Sequence, residues 1–383
     1  MIYLDNSATT RPYDAVIDRM DAAMREQYFN ASAAYGPALS VEKEVRRCRK
    51  LIAGALGVQE AGICFTAGGT ESDNLAILGT AEAIRKPTNM VVSAIEHPAV
   101  AETMRRAERL GYEIRVIPIA DDGRIDLKAA EQLIDAETAL VSCMQVSNES
   151  GAIQPVAELS AIAKKANPAV RVHVDGVQGF LRVPVNLSKS GIDYYALSGH
   201  KIHGPKGIGV LAMRPCGRLV PQMSGGGQES GLRSGTCDAP AILGLHEAVR
   251  LSLEEGMIPE IRAMKLRLWE QLREEEGIRA NGPDPENESL AAPHIISLSF
   301  DGVRGEVMRN ALEGEGILVS TGSACASHKQ KVSPTLLAMG LSPAQADGTI
   351  RVSLGRFNKP EEMDRAADAM RRIYRQLKRY QRR

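Results

Sequence analysis

The sequence has no excess of charge of either sign, and no apolar run in it approaches membrane-spanning length. Its 47 Lys and Arg residues equal its 47 Asp and Glu residues, which argues against direct nucleic-acid binding through a broad basic face. A membrane-spanning helix needs ~20 consecutive apolar residues, so no membrane association is expected. The first residues lack a basic stretch followed by an apolar core, and a cytoplasmic protein is therefore expected.

Cysteines are few, and they form no CxxC pair and no other metal-type spacing. In a reducing compartment such scattered cysteines are free thiols, so the sequence predicts neither disulfides nor a resident metal site. The six cysteines are Cys48, Cys64, Cys143, Cys216, Cys237 and Cys325.

The length of 383 residues is large for one core and predicts a large domain with a smaller one. Between about residues 40 and 212, short apolar runs alternate with segments of helical period. This pattern is typical of an α/β fold, a mostly parallel sheet with helices on both faces. The seven apolar runs are GICFT, MVVSAI, EIRVIPI, ALVSCMQV, VRVHVD, DYYALS and GIGVLAM.

Helices are predicted between these runs and in a second region that follows residue 239. The first set covers 71–84, 100–110, 126–134 and 156–166, with Asp126 as an N-cap. The second region is helical from about 239 to 276 with a break near Pro259, and it continues with strand HIISLSF, helix 306–313, strand TIRVSL and a helix from Pro360. We expect a large domain at 12–245 and a small α+β domain formed by 1–11 and 246–383.

Three motifs that follow predicted strands contain side chains able to react with a ligand or to bind one. SGHKIHGPKG holds Lys201 beside a Gly/Pro turn, where an amine can act as a Schiff-base nucleophile. GGTESDN opens a helix, so its N–H groups and the Thr70 hydroxyl can bind an anion. HVDGVQG ends a strand with Asp175. Each motif by itself has a simpler explanation. Lys201 is then a solvated lysine, GGTESDN is a turn between a strand and a helix, and Asp175 is a turn or helix-cap residue.

Together these residues indicate one site. In open α/β sheets, ligands bind beyond the carboxyl ends of the strands, and five polar residues follow predicted strands: Thr70, His97, Asn148, Asp175 and Lys201. An acid that keeps a pyridine nitrogen protonated and a lysine that forms a Schiff base are what a pyridoxal-phosphate (PLP) site requires.

The segment STGSACASHKQK around Cys325 is small, polar and glycine-bearing, and it predicts a mobile surface loop, about 320–332. Nearby His328, Lys329 and Lys331 favour the thiolate form of Cys325. Cys64 and Cys143 lie in predicted buried strands and are interpreted as core residues.

The order of the motifs resembles that of the cysteine desulfurases of the NifS/IscS type, which are fold-type I PLP enzymes, over nearly the whole chain. The matching segments are YLDNSATT, TAGGTESDNLAI, EHPAV, NESG, HVDGVQG, SGHKIHGPKG, RSGT and VSTGSACAS. The resemblance implies a fold-type I PLP-transferase with a seven-stranded sheet in its large domain and the cysteine loop in its small domain.

The resemblance also implies a role for each site residue. Lys201 forms the Schiff base with PLP, His97 stacks on the ring, Asp175 pairs with the pyridine nitrogen and Gln178 with the phenolic oxygen. The residues implied to hold the phosphate are Gly69, Thr70, Ser198, His200 and, from the second subunit of a homodimer, Thr236. Asn148 and Arg351 are implied to bind the substrate carboxylate.

The implied reaction removes sulfur from L-cysteine, giving alanine and a persulfide on Cys325. The implied acceptor is an iron–sulfur scaffold or a tRNA-thiolation enzyme, and Cys325 is a candidate transient iron–sulfur ligand. The rival hypotheses are another PLP activity, such as an aminotransferase, selenocysteine lyase or β-lyase, and a catalytically silent scaffold. The sequence departs from the family pattern in NASAAY at 30–35 and in Ser147, which precedes Asn148.

Overall fold

The structure, a computed structural model, describes residues 1–215, 218–321 and 332–381. Its strands, β1 to β12 in chain order, are Ile2–Tyr3, Ile63–Thr66, Asn89–Ser93, Glu113–Ile117, Thr138–Ser142, Arg171–Asp175, Tyr194–Ser198, Gly209–Met213, Ile278–Asn281, Ile295–Phe300, Ile317–Leu318 and Thr349–Ser353. Its helices, α1 to α13, are Asp14–Glu26, Gly36–Leu56, Gly69–Ala83, Pro98–Arg109, Leu127–Leu133, Val156–Ala166, Leu187–Ser190, Ala239–Glu255, Ile258–Leu272, Gly305–Glu313, Pro334–Ala338, Pro343–Asp347 and Pro360–Gln381.

A seven-stranded sheet lies at the centre, in the order β2-β8-β7-β6-β5-β3-β4. The strands from β7 to β4 pair in parallel, whereas β8 runs antiparallel to both of its neighbours. Every residue of β3, β5, β7 and β8 is buried, as expected for strands covered by helices on both faces. The prediction of a mostly parallel seven-stranded sheet is confirmed, and each predicted apolar run overlaps one strand.

Helix α3 runs across the sheet and packs against β6, β7 and β8. It is apolar around most of its circumference, with Leu75, Ala76, Ile77 and Leu78 all buried, because it lies between the sheet and other helices. The predicted cap is also present, since the side chain of Asp126 accepts hydrogen bonds from the backbone N–H groups of residues 128 and 129 at the start of α5.

A second, antiparallel sheet, in the order β12-β10-β9, is formed by later parts of the chain. Its core contains Leu298, Phe300, Met370 and Tyr374. The predicted break in the long helical region falls at Gly256, whose φ of 60° ends α8 in the left-handed conformation. Strand β1 pairs with β11, so the first residues pack with this later part of the chain. The division into a large domain at 12–245 and a small domain formed by 1–11 and 246–383 stays a prediction.

Among the described residues, no helix combines the length and the apolarity that crossing a membrane would require.

Candidate active site

A cavity of about 280 Å³ lies at the carboxyl ends of the central strands, close to the ~300 Å³ at which small-molecule pockets begin. Residues from distant parts of the sequence line it, as predicted from their positions after the strands. The predicted site residues that line it are Gly69, Thr70, His97, Asn148, Asp175, Gln178, Ser198, His200, Lys201 and Arg351.

Two predicted residues are not among the described residues that line this cavity. Thr236 is exposed and is not one of the lining residues of the cavity, so its contribution to a second subunit stays a prediction. Cys325 lies outside the described residues, as do His328, Lys329 and Lys331.

Lys201 ends a single helical turn that directly follows β7. Its Nζ atom donates hydrogen bonds to the carbonyl oxygens of Ser7, at 2.6 Å, and Ala8, at 2.8 Å. The Lys201 carbonyl oxygen in turn accepts a hydrogen bond from the guanidinium of Arg182. The YLDNSATT segment therefore forms one wall of the site and fixes the position of the amine.

The start of α3 forms an anion cradle. An α-helix leaves its first N–H groups without intrahelical acceptors, and this helix begins at Gly69. A Cβ on Gly69 would lie 2.6 Å from a methyl carbon of Val177, so the close approach requires glycine. Ser198 and His200 line the same cavity, and burial, reinforced by the charges of two nearby lysines, lowers the pKa of His200 to about 4. His200 is therefore neutral at neutral pH and acts by hydrogen bonding.

Asp175 and His97 face the cavity as a buried acid and a neutral imidazole. Asp175 is at the end of β6, and its Oδ1 accepts a 2.9 Å hydrogen bond from the N–H of Val177. Burial raises the pKa of Asp175, so its ionised form needs a cation beside it. Burial lowers the pKa of His97, whose Nδ1 accepts a 3.1 Å hydrogen bond from Ala99 N–H. The neutral ring therefore carries its proton on Nε2.

Gln178 lines the cavity, and its amide already has protein partners. The Nε2 group donates to the carbonyl oxygen of Ser7 at 2.9 Å, and Oε1 lies 3.3 Å from Nε2 of His294. The amide is therefore held against the same N-terminal segment that receives Lys201. Its implied contact with a phenolic oxygen stays a prediction.

Arg351 is buried on β12, with 3% of its surface exposed. Its Nη1 donates to the carbonyl oxygen of Asn148 at 2.8 Å, and its Nη2 donates to Oδ1 of Asp5 at 2.7 Å. Its Nε atom is buried without a hydrogen-bond partner among the described residues. Asn148 thus holds the arginine through its backbone, and the guanidinium keeps donor capacity for a carboxylate at the cavity.

Two acidic residues at this site were not singled out from the sequence. Asp5, in YLDNSATT, is the partner of Arg351. Asp73, in GGTESDN, lines the cavity on the same helix as Thr70. Thr70 and Asp73 are three residues apart, which places both on one face of the helix. This spacing could have identified Asp73 from the sequence.

The residues present fit PLP at its phosphate, its ring nitrogen and its aldehyde. The start of α3 with Ser198 suits a phosphate, Asp175 suits a protonated pyridine nitrogen, and the amine of Lys201 suits an aldehyde. These groups line one cavity, so they can hold one small molecule between them.

The chain is similar to known proteins over nearly its whole length. A model of the family described as aminotransferase class-V matches residues 2–366. The cysteine desulfurase IscS of Salmonella arizonae is 38% identical over 384 residues, spanning 97% of this chain and 92% of that protein.

Solved structures are similar over the same length. A NifS-like protein has a TM-score of 0.91 and 35% identity, covering 98% of this chain and 100% of that one. SspA, solved in complex with cysteine, has a TM-score of 0.81 and 31% identity, covering 92% of this chain and 99% of that one. The chain therefore belongs to the class-V aminotransferase family and, within it, to the group of pyridoxal-phosphate-dependent enzymes that includes the cysteine desulfurases.

Proposed function

We propose that the chain takes sulfur from L-cysteine, releases L-alanine and carries the sulfur as a persulfide on Cys325. The observation that carries this proposal is the gathering of Lys201, Asp175, the anion cradle of α3 and Arg351 around one cavity. The similarity to cysteine desulfurases along the chain supports cysteine as the substrate.

The cofactor would be held at three points. The N–H groups at the start of α3, with Thr70 and Ser198, would bind the phosphate, Asp175 would pair with the ring nitrogen, and Lys201 would hold the aldehyde carbon. When bound, PLP withdraws electrons from the substrate Cα and makes its proton removable.

Arg351 would bind the carboxylate of the substrate amino acid. A guanidinium matches a carboxylate in a bidentate manner, and this one is oriented by Asp5 and by the carbonyl oxygen of Asn148. Since the arginine is already fixed before the substrate arrives, little side-chain entropy is lost on binding.

Lys201 is the base that we assign to the substrate Cα. Its amine is held between the carbonyl oxygens of residues 7 and 8 and lines the same cavity as Arg351. His97 is partly buried, which lowers its pKa and favours the neutral ring, and it would assist proton transfer through its Nε2–H.

Sulfur leaves the substrate by transfer to Cys325. The Cys325 thiolate forms a new S–S bond to the substrate sulfur as the Cβ–S bond of the substrate breaks. The electron pair of that bond remains with Cβ, which takes up a proton to become the methyl group of alanine. No external oxidant is required.

The assembly and the sulfur acceptor are part of this proposal. We propose a homodimer in which Thr236 of each subunit completes the phosphate site of the other, and a cytoplasmic location. The acceptor is an iron–sulfur scaffold or a tRNA-thiolation enzyme, and Cys325 is the candidate transient cluster ligand. The division into 12–245 and 1–11 with 246–383 places the cysteine loop in the smaller domain.

The test is the addition of L-cysteine to purified protein, with absorbance recorded and with alanine and sulfide quantified. A yellow protein that produces equal amounts of alanine and sulfide under reducing conditions supports the proposal. A yellow protein that leaves cysteine unchanged but transforms another amino acid contradicts the assigned substrate. A protein that cannot be reconstituted with PLP contradicts the cofactor as well.

A further inference from the structure

A chain of polar side chains crosses the buried layer between the central sheet and α3. Ser142 Oγ, at the end of β5, lies 2.8 Å from Nδ1 of His173 on β6. Nε2 of His173 lies 3.2 Å from Oδ1 of Asp73 on α3, but the two atoms do not meet with hydrogen-bonding geometry, and neither has another hydrogen-bond partner among the described residues. All three residues are fully buried, with no more than 1% of their surface exposed. We call Ser142, His173 and Asp73 the buried relay.

The relay connects the two elements that would hold opposite ends of the cofactor. His173 and Asp175 are two residues apart on β6, so their side chains lie on the same face of the sheet. Asp73 is one helical turn after Gly69 and Thr70. The relay therefore brings the strand of the proposed ring-nitrogen acid into polar contact with the helix that begins the anion cradle.

Burial shifts the pKa values of both ionisable groups of the relay toward their neutral forms. Burial lowers the pKa of His173 to about 3, so the imidazole is uncharged. Burial, with the nearby charge of Asp175, raises the pKa of Asp73 well above its usual value and favours its protonated form. A protonated Asp73 would present a donor beside Nε2 of His173, whose Nδ1–H would then donate to Ser142. Asp175 would then be the carboxylate that pairs with the ring nitrogen of PLP.

Packing alone does not account for these residue types. Burying a carboxyl group and an imidazole costs free energy that apolar side chains of similar size would not. Buried polar groups held against each other restrict the relative placement of their elements, because moving them apart leaves each facing apolar surroundings.

We propose that Asp73, His173 and Ser142 are positioning residues, which hold Asp175 and the phosphate cradle at the separation that PLP requires. This inference rests on the cofactor of the proposed function and is independent of cysteine as the substrate.

The test measures the dissociation constant of PLP from the apoenzyme and the pH midpoint of the cofactor's absorbance change, both without cysteine. Asp73→Leu and His173→Leu are each expected to weaken PLP binding by about tenfold and to shift the midpoint, since each replaces the polar contact between α3 and β6 by an apolar group that faces a buried polar one. The double variant is expected to be no worse than either single variant, because both break one chain.

Two further variants distinguish a positioning role of the relay from an effect of the charge of Asp73 and from a general effect of altered packing in α3. Asp73→Asn keeps a hydrogen-bonding amide without a charge and is expected to recover most of the affinity lost in Asp73→Leu. Thr80→Val is the matched control, because Thr80 is buried on the same helix and its hydroxyl donates to the carbonyl oxygen of Ala76, four residues earlier on that helix. It is expected to leave both readouts at their wild-type values.

Wild-type affinity and midpoint in the two leucine variants would overturn the proposal. Equal damage from Asp73→Asn and Asp73→Leu would also overturn it, because the charge of Asp73 would then be what matters. If the leucine variants do not fold, Ser142→Ala decides, with a loss of about threefold supporting the relay and no loss contradicting it. Failure to process cysteine would affect none of these measurements.

Discussion

Oδ1 of Asp5 accepts a 2.7 Å hydrogen bond from Nη2 of Arg351, across 346 residues of sequence. The backbone joins the same two regions, since Asp5 and Ser353 form a parallel bridge. The arginine that we assign to the substrate carboxylate is therefore neutralised and oriented by the N-terminal segment. That segment also receives the amine of Lys201 through Ser7 and Ala8, so one stretch of chain positions two of the groups proposed to act on the substrate.

Arg351→Lys is expected to raise the KM for cysteine by about tenfold to a hundredfold. A lysine cannot keep bonds to Asp5 and to the Asn148 carbonyl oxygen while also presenting a forked donor to a carboxylate. Steady-state kinetics measure the effect, and kcat is expected to change less than KM because carboxylate binding is shared by ground state and transition state.

The matched control for this variant is Arg356→Lys. Arg356 pairs with Glu255 at the partly exposed surface and lies five residues further along the chain. We expect its KM to match that of the wild type. A KM in Arg351→Lys that equals the control value would remove Arg351 from the substrate site.

Lys201→Ala is expected to abolish both the yellow absorbance of the holoenzyme and the release of alanine. Its amine is the group that lines the cavity and contacts the Ser7 and Ala8 carbonyl oxygens. Lys206→Ala provides the comparison, because Lys206 is an exposed lysine of the same SGHKIHGPKG motif. Spectra and product assays of the two variants are recorded together, and a colourless Lys206→Ala protein would show that the wrong lysine was assigned.

Cys325→Ala is expected to keep the cofactor absorbance and to lose persulfide formation. Mass spectrometry after incubation with cysteine detects the added sulfur atom. Cys64→Ala is the control, since Cys64 is buried on β2 and burial raises the pKa of its thiol to about 12. A persulfide that persists in Cys325→Ala, or that disappears in Cys64→Ala, contradicts the assignment.

The sequence predicted several of the elements that depend on local pattern, although helices α1 and α2 were not predicted. Helix α6 has the predicted bounds of Val156 and Ala166, because its apolar period and its neighbouring polar residues are both local signals. Strand β9 was not predicted. It is an edge strand in which only Ile278 is fully buried, so it has no apolar run to mark it.

The residues that line the candidate site could be predicted from the sequence, but the contacts between their side chains could not. The residues that follow the strands meet at one cavity because the carboxyl ends of parallel strands share an edge. The pairs Asp5–Arg351 and Asp73–His173 depend on packing between distant segments, which no local spacing encodes. The role of Cys325 rests on its sequence neighbours and on the family resemblance alone.

Lys265 offers a test of stability that is separate from catalysis. It is fully buried in α9, and its Nζ donates a 2.8 Å hydrogen bond to the carbonyl oxygen of Ala292. Burial lowers the pKa of Lys265 from 10.5 to about 7. Below about pH 7 both the folded and the unfolded chain carry the proton, so the folded state bears the full cost of a buried charge. Between the folded and the unfolded pKa the unfolded chain binds more protons, so stability rises with pH and the cost disappears.

Lys265→Met removes this cost and is therefore expected to stabilise the apoenzyme by about 2–4 kcal/mol near pH 6, with the gain shrinking toward zero near pH 10. Urea denaturation of both proteins at the two pH values measures it. Lys359→Met, which changes an exposed lysine, is expected to give a small difference that does not vary with pH. An equal effect of Lys265→Met at both pH values would mean that the amine does not change its protonation between the folded and unfolded states in this range.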